Sequence, residues 1–224
     1  MRIGIIIPMD IEYRQMRQLL GGDQGVLSGN EIVLWRSGIG KVNAALGTQR
    51  LINECHPDCV LNTGVAGGID VSLRVMDVVI ANEVVYHDVW CGEDNAKGQV
   101  QGLPERYACN EKLCQAAMSI QSSHPLHCGL ICTGDQFITN DARLKEIKSD
   151  FPEGLAVEME AAAIAQTCYL NQVPFMAIRV ISDVPAEAKT YDDHVQQYND
   201  FWAAVGDNSF QTIKSILQAL PTSI

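Results

Sequence analysis

The chain has 224 residues, of which 47% are hydrophobic and only 19% are charged, so it can bury a large core. With 16 basic and 27 acidic residues, its formal net charge is −11. That charge argues against a protein that binds nucleic acid or an anionic membrane through phosphate contacts. A surplus of acids in a weakly charged chain raises the question of whether some carboxylates do chemistry.

The first apolar stretch, residues 3–7, is interrupted by Pro8 and followed by Asp10 and Glu12. A membrane span needs roughly 18 or more apolar residues, and a secretory signal needs a longer apolar region with a small-residue cleavage site. The sequence therefore predicts a cytoplasmic protein that has no membrane partner.

Predicted strands and helices alternate along the chain. Strand-like segments occur at 2–7, 59–61, 77–86, 129–133 and 175–181, with a hairpin formed by 26–27 and 32–35, and 156–157 is a short apolar piece. Helices are predicted at 10–20, 41–54, 111–120, 141–149, 160–170 and 194–220, the last interrupted near 206–208. No repeat or linker divides the sequence, so we expect one domain over 1–224. The pattern predicts an α/β fold with a central, mixed and twisted β-sheet flanked by helices.

Eight cysteines and five histidines are candidates for disulfides or a metal site. A cytoplasmic chain with a good core does not need disulfides, and neither C-x-x-C nor H-E-x-x-H spacing occurs. His124 and His127 lie near Cys128 and Cys132, which leaves a metal site there as an alternative to reduced, mostly buried thiols. We favour the thiols and expect no metal.

Unusual segments follow four of the predicted strands, and a fifth precedes an alanine-rich helix. They are 8–12, 62–68, 134–139 and 182–183 after strands, and 158–160 before the helix. In open α/β sheets, ligands bind beyond the carboxyl ends of the strands. These distant segments are therefore candidates for the walls of one pocket.

The glycine-rich segment 62–68 is consistent with a tight turn or with a loop that approaches a flat or anionic ligand closely. It matches neither the G-x-G-x-x-G nor the P-loop pattern, and it contains no arginine, so a phosphate cradle is not favoured. The segment 37–41, S-G-I-G-K, is too short for a P-loop and indicates a helix that begins at Lys41.

Four carboxylates stand out by position. Asp183 ends a buried strand and Glu12 lies near a helix start, where a cap or a dipole contact is the alternative to a catalytic role. Glu158 and Glu160 are two residues apart and point in roughly opposite directions, so only one is expected in a site. Because a buried carboxylate needs a partner, we expect Glu160 to bind a protein group or a ligand diol.

Several motifs occur in the order in which one known family has them. They are I-G-I-I-I-P-M-D-I-E (3–12), S-G-I-G-K-V-N-A-A (37–45), N-T-G-V-A-G-G (62–68), Y-H-D (86–88), T-G-D-Q-F-I (133–138), V-E-M-E-A-A-A-I-A (157–165) and R-V-I-S-D (179–183). On these motifs the chain resembles the 5′-methylthioadenosine/S-adenosylhomocysteine nucleosidases of the nucleoside phosphorylase/hydrolase family, from residue 3 to about 217. The resemblance implies that family's three-layer fold.

The resemblance also implies roles for matched positions. Glu12 corresponds to the base that activates the attacking water, and Asp183 to the acid near purine N7. Positions implied to bind the substrate are Met9, Ala66, Gly67, Phe137, Ile138, Met159, Glu160, Arg179 and Ser182. Among these, Glu160 would accept hydrogen bonds from the ribose hydroxyls, and Phe137 with Ile138 would hold the purine.

The implied activity is hydrolysis of the N-ribosidic bond of 5′-methylthioadenosine and S-adenosylhomocysteine to adenine and the free thioribose. Cleavage builds positive charge on the sugar, which carboxylates in a water-poor site stabilise, and no metal or organic cofactor is needed. The substrate partner is thus a small nucleoside; 5′-deoxyadenosine and aminodeoxyfutalosine stay open as further substrates.

Two other functions are compatible with the same fold. A purine nucleoside phosphorylase binds a phosphate dianion, normally with arginines, whereas the carboxylate of Glu12 would repel that anion. A non-catalytic nucleoside-binding or storage protein would be expected to have lost one of Glu12, Glu160 and Asp183. We therefore favour the hydrolase.

The chain departs from the family at two places. Val65 replaces a hydroxyl residue that is common there, and the segment 89–104 lacks the usual aromatic pattern. In the family this segment helps to cover the 5′ tail of the substrate, partly from a neighbouring subunit. The resemblance thus implies a homodimer with 89–104 near the neighbouring site, and leaves the preferred 5′ tail open.

Overall fold

The computed structural model describes residues 1–139, 141–184, 190–204 and 210–224. The helices are α1 (Asp10–Leu20), α2 (Lys41–Cys55), α3 (Glu111–Met118), α4 (Asp141–Asp150), α5 (Ala161–Leu170), α6 (Tyr191–Ala204) and α7 (Gln211–Ala219). The strands are β1 (Arg2–Ile7), β2 (Gln24–Leu27), β3 (Asn30–Arg36), β4 (Cys59–Gly68), β5 (Val78–Tyr86), β6 (Tyr107–Ala108), β7 (Leu126–Thr133), β8 (Gly154–Glu158) and β9 (Phe175–Asp183).

Most predicted elements occur where the sequence indicates them, including the antiparallel hairpin of β2 and β3. The loop predicted at 62–68 is wrong, because β4 continues as a strand to Gly68. Its backbone is held there by pairing with β9 and β8, and such tertiary pairing overrides the low strand propensity of glycine. The two-residue strand β6 has no counterpart in the prediction, and the apolar piece at 156–157 proves to be part of the strand β8. The interruption predicted near 206–208 lies outside the described residues.

All of the strands belong to one mixed sheet, and part of that sheet closes on itself. From β4 the pairing passes to β9, β5, β7, β8 and back to β4. The strands β1, β3 and β2 extend the sheet outward from β4. Within the ring, β5 pairs with β9 and β8 with β4 in antiparallel orientation, while the other pairs are parallel.

The helices cover this sheet with apolar faces. Helix α2 packs on β1 and on α5, and α5 in turn contacts β4, β5, β7 and β9. The first residues of α5 are alanines with little or no exposed surface. Their small side chains let the helix approach the strands closely, as expected from the dense packing of protein interiors.

Three further sequence expectations concern membranes, disulfides and metals. No helix among the described residues is long and apolar enough to cross a membrane. All eight cysteines are free thiols. The part of the chain that the structure describes contains no group of three His, Cys, Asp or Glu side chains arranged to hold a metal ion.

Candidate active site

A pocket of about 330 Å³ opens where the strands end. Its walls come from the segments after β1, at the end of β4, after β7, after β8 and at the end of β9, with Ile39 and Tyr198 added from the region of α2 and from α6. The volume lies at the lower end of the range of roughly 300–1,000 Å³ typical of small-molecule sites. Five distant segments predicted to share a pocket therefore do share one.

The strand ends converge even though the sheet is mixed, because β4 and β8 cross only at their carboxyl ends. Gly67 pairs with Val157 and Gly68 with Ala156 in a short antiparallel contact. Gly67 is also in register with Asp183 at the end of β9. This crossing brings the carboxyl ends of two oppositely directed sets of strands to the same place.

Glu12 lies at the start of α1 and is 1% exposed. Its two carboxylate oxygens accept hydrogen bonds from the backbone N–H groups of Met9 (3.0 Å) and Val65 (2.9 Å). Gly64 allows this approach, since a Cβ at that position would lie 2.7 Å from Glu12 Oε1. Burial raises the pKa of Glu12 to about 7, against the opposing effect of the hydrogen bond from Val65. At neutral pH the group can therefore both hold and release a proton.

Glu160 precedes α5 and is also buried. Its Oε1 accepts a hydrogen bond of 2.7 Å from the N–H of Gly40, and its Oε2 lies 4.0 Å from Arg179 Nη2. Burial first, and the negative charge of Glu158 second, raise the pKa of Glu160 to about 8. The carboxylate thus needs a further hydrogen-bond donor to be stable in its charged form, and a ligand diol would supply one.

Asp183 ends β9 and is 2% exposed. The hydroxyl of the preceding residue, Ser182, donates to Asp183 Oδ1 at 2.5 Å and also contacts the carbonyl oxygen of Ala66. The strand therefore presents this carboxyl group to the pocket beside a hydroxyl that orients it.

Glu158 and Arg179 form the polar floor beneath the pocket. Glu158 accepts hydrogen bonds from the hydroxyl of Thr133 and from the backbone N–H groups of Glu160 and Ala161. Arg179 Nη2 donates to Glu158 and to the side chain of Asn62. Arg179 is fully buried, so its charge is paired inside the protein.

Aromatic and thioether groups also line the pocket. The rings of Phe137 and Tyr198 meet edge to face with centroids 5.9 Å apart. The hydroxyl of Tyr198 lies 3.6 Å from Met9 Sδ. Together with Ile39 and Ile138 they form an apolar part of the lining suited to a purine or an apolar tail.

Every site residue that the resemblance implied lines this pocket, with the exception of Arg179. Arg179 lies behind Glu158, and its Nη2 is 4.0 Å from Glu160 Oε2, so its expected role on the ribose side stays a prediction. Sequence reasoning missed Glu158, because alternation suggested that only one of the two glutamates reaches the site. It also missed Tyr198, since the helical pattern of α6 gives no indication of which face meets the pocket.

Among the residues that the structure describes, those lining the pocket include acidic but no basic side chains. Its described lining includes Glu12, Glu158, Glu160 and Asp183, but no lysine, arginine or histidine. A dianion such as phosphate would therefore meet repulsion, whereas developing positive charge would be stabilised.

Comparison with known proteins agrees with this geometry. The family model described as the phosphorylase superfamily matches residues 3–218. The 5′-methylthioadenosine/S-adenosylhomocysteine nucleosidase of Aeromonas salmonicida is 38% identical over 98% of this chain and 100% of its own length. The nucleosidase of the same description from Anoxybacillus flavithermus is 44% identical over 82% of this chain and 86% of its own.

Solved structures give the same result. The nucleosidase from Neisseria meningitidis in complex with methylthio-immucillin-A has a TM-score of 0.88 and 37% identity, covering 98% of this chain and 99% of that one. The nucleosidase from Colwellia psychrerythraea in complex with adenine has a TM-score of 0.87 and 34% identity, covering 100% and 97%. The chain therefore belongs to the phosphorylase superfamily and, within it, to the 5′-methylthioadenosine/S-adenosylhomocysteine nucleosidases. The predicted resemblance and α/β fold with a central mixed sheet are confirmed.

Proposed function

We propose that this protein hydrolyses the N-ribosidic bond of 5′-methylthioadenosine and S-adenosylhomocysteine, releasing adenine. The observation that carries the proposal is the single pocket in which Glu12, Glu160 and Asp183 meet without a basic side chain among its described lining residues. The relatives named above, and their complexes with adenine and with methylthio-immucillin-A, support the same substrate class. A cytoplasmic location is part of this proposal.

The proposed chemistry assigns one task to each carboxyl group. Ionised Glu12 takes a proton from water as the water oxygen attacks C1′, and the bond from C1′ to N9 breaks. Protonated Asp183 gives its proton to N7, so adenine leaves as a neutral molecule. Glu160 accepts hydrogen bonds from the ribose hydroxyls, which stabilise its charged form, and the negative charge then stabilises the oxocarbenium-like sugar.

The positions of the other residues support this assignment. Phe137 and Tyr198 offer aromatic surface to the purine or to the 5′ tail. The backbone beside Ala66, Gly67 and Ile138 lies close enough to the cavity to line it. These groups would bind and orient the substrate without taking part in proton transfer.

The experiment that tests the proposal measures adenine release from 5′-methylthioadenosine with and without inorganic phosphate. We expect equal rates in both conditions and free methylthioribose as the second product. Strict dependence on phosphate, with a sugar phosphate as product, would establish the phosphorylase instead. Tight binding of the nucleoside without any turnover would establish a binding or storage protein.

We also propose that the protein is a homodimer in which segment 89–104 lies near the partner's pocket. Three apolar residues, Ile39 just before α2 and Val42 and Leu46 within it, are more than half exposed, and Ile39 lines the pocket. Trp90 is 52% exposed in that segment. A second copy on this face would bury these side chains and cover the mouth of the pocket.

Sedimentation of the wild type and of Leu46→Glu tests the dimer. We expect the wild type to sediment at twice the chain mass, and the variant to shift toward monomer with a raised KM. A wild-type monomer with full activity would contradict the proposed interface.

A further inference from the structure

Three residues outside the pocket lining join separate parts of the chain in a closed circuit of hydrogen bonds. Lys41 begins α2, Asp88 follows β5, and Asp135 follows β7. Lys41 Nζ donates to both carboxylate oxygens of Asp88 at 2.8 Å. Asp88 Oδ2 accepts from the N–H of Asp135 (2.9 Å), and Asp135 Oδ1 accepts from the N–H of Lys41 (2.8 Å). We call these three residues the clasp.

Lys41 of the clasp adjoins the backbone N–H group that donates a hydrogen bond to Glu160. Gly40 immediately precedes Lys41 and donates its N–H to Glu160 Oε1 at 2.7 Å. The backbone of Gly40 has a φ of +90°, which favours glycine, and a Cβ there would lie 3.0 Å from Asp135 Oδ1. The position of this N–H therefore depends on where the clasp holds the first turn of α2.

Asp135 of the clasp lies close in sequence to the part of the pocket that would receive the purine. Phe137 and Ile138 follow Asp135 by two and three residues, and both line the pocket. The clasp thus links the segment after β7, which carries these two residues, to the start of α2, which orients Glu160. A change in the clasp would move one of these segments relative to the other.

Within the clasp, Asp135 is 47% exposed, but the ion pair of Lys41 with Asp88 is partly sheltered from water, which makes its charges more effective than those of a surface pair. The side chain of Lys41 is 23% exposed and that of Asp88 is 15% exposed. Lys41 Nζ also lies 5.4 Å above the ring of Tyr86. Burial would raise the pKa of Asp88, but Lys41 and the N–H of Asp135 lower it below its usual value. Asp88 is therefore anionic at neutral pH and holds Lys41 in one geometry.

We propose that Lys41, Asp88 and Asp135 are positioning residues that set the Gly40 N–H against Glu160, and so set the affinity of the site for the ribose. The inference rests on the proposed function, because it assigns Glu160 to the ribose hydroxyls. The clasp itself touches no reacting atom. Its contribution to the rate passes through the geometry of Glu160.

The test is a double-mutant cycle on kcat/KM for 5′-methylthioadenosine, with Lys41→Met, Glu160→Gln and the double variant. A small misplacement remote from the chemistry can cost up to about 100-fold, so we expect Lys41→Met to lose about 10- to 100-fold, mainly through KM. The double variant should lose little more than Glu160→Gln alone, since residues acting as one unit are not additive. Lys41→Arg should restore most of the loss by pairing with Asp88.

Lys148→Met is the matched control, because Lys148 pairs with Asp70 at 3.2 Å and has a similar exposure of 26%. It should leave kcat/KM within about twofold, and thermal melts of all variants check folding. If Lys41→Met does not fold, Asp88→Asn enters the same cycle. A wild type that releases no adenine would contradict the proposed function. If the wild type is active, additive losses in the double variant, or an unaffected Lys41→Met, would contradict only the positioning role of the clasp.

Discussion

The polar floor contains the buried carboxylate of Glu158, and what we call the wall of the pocket contains those of Glu12 and Glu160. These carboxylates differ in how many hydrogen-bond donors reach them. In the floor, Glu158 accepts hydrogen bonds from a hydroxyl, two backbone N–H groups and Arg179. In the wall, Glu160 accepts one hydrogen bond, from Gly40, among the residues that the structure describes. The two glutamates are two residues apart and almost equally buried, at 7% and 4% exposure.

This difference in the number of donors indicates which buried acids are structural and which are available to a ligand. A buried carboxylate with a full set of donors has its charge compensated by the protein, and removing a partner is costly. A buried carboxylate with few donors keeps lone pairs for a substrate and carries a raised pKa, as Glu12 and Glu160 do. Substitutions in the floor should therefore reduce stability, and substitutions in the wall should reduce the rate.

The largest effect is expected for Glu12→Gln. The variant removes the proposed base, so kcat should fall by about 10²–10⁴-fold. An amide also presents a donor to one of the N–H groups of Met9 and Val65, so some stability should be lost as well. Adenine release measures the rate, and the exposed Glu54→Gln is the control. Turnover of Glu12→Gln close to that of the wild type would remove Glu12 from the mechanism.

Arg179→Met tests the floor. The change leaves the charge of Glu158 and the side-chain oxygen of Asn62 without their partner, so the free energy of unfolding should fall by about 3–5 kcal/mol. Urea unfolding measures this loss. Arg106→Met, which breaks a more exposed pair with Glu153, should cost at most about 1 kcal/mol. Equal losses in the two variants would show that the floor pair is no more important than a surface one.

Asp183→Asn should reduce kcat by about 10²-fold, the lower end of the range for general acid–base catalysis. The asparagine amide can still donate a hydrogen bond toward N7, but it cannot transfer a proton to the leaving adenine. Measuring both kcat and the melting temperature separates a loss of proton transfer from a loss of packing. Unchanged activity with a lowered melting temperature would make Asp183 structural.

The most gradual effect, about 1.4 kcal/mol for each pH unit, is a pH dependence of stability from Glu160. Its pKa is raised from 4.5 to about 8 in the folded protein, so between these values the folded chain holds a proton that the unfolded chain releases. The free energy of unfolding of the wild type should therefore fall, relative to Glu160→Gln, as pH rises from about 5 to about 8, by up to a few kcal/mol. Urea midpoints of both proteins across this range give the difference. A constant difference would mean that Glu160 is already ionised at about pH 5.

Much of the fold could be predicted because its signals are local. The β-branched run of β1 ends at Pro8, and the helical spacing of α1 ends at paired glycines. The extension of β4 could not be predicted, because glycines weaken a strand by themselves and only the pairing with β9 and β8 holds them.

The candidate site could be predicted in part for the same reason. Glu12 and Asp183 each end or follow a strand, a position that the order of elements makes visible. The placement of Arg179 in the floor depends on Asn62 and Glu158, which are far from it along the chain. No spacing in the sequence carries that information.

The sequence by itself determined the alternation of strands and helices, the segments at the strand ends and the family to which they are similar. These follow from hydrophobic periodicity and from motifs a few residues long. The tertiary structure alone decided that β9 closes the ring between β4 and β5, and that Glu158 is compensated while Glu160 is available. The physical reason is that burial and hydrogen-bond partners belong to pairs of residues brought together by folding, and a charge's role depends on those partners.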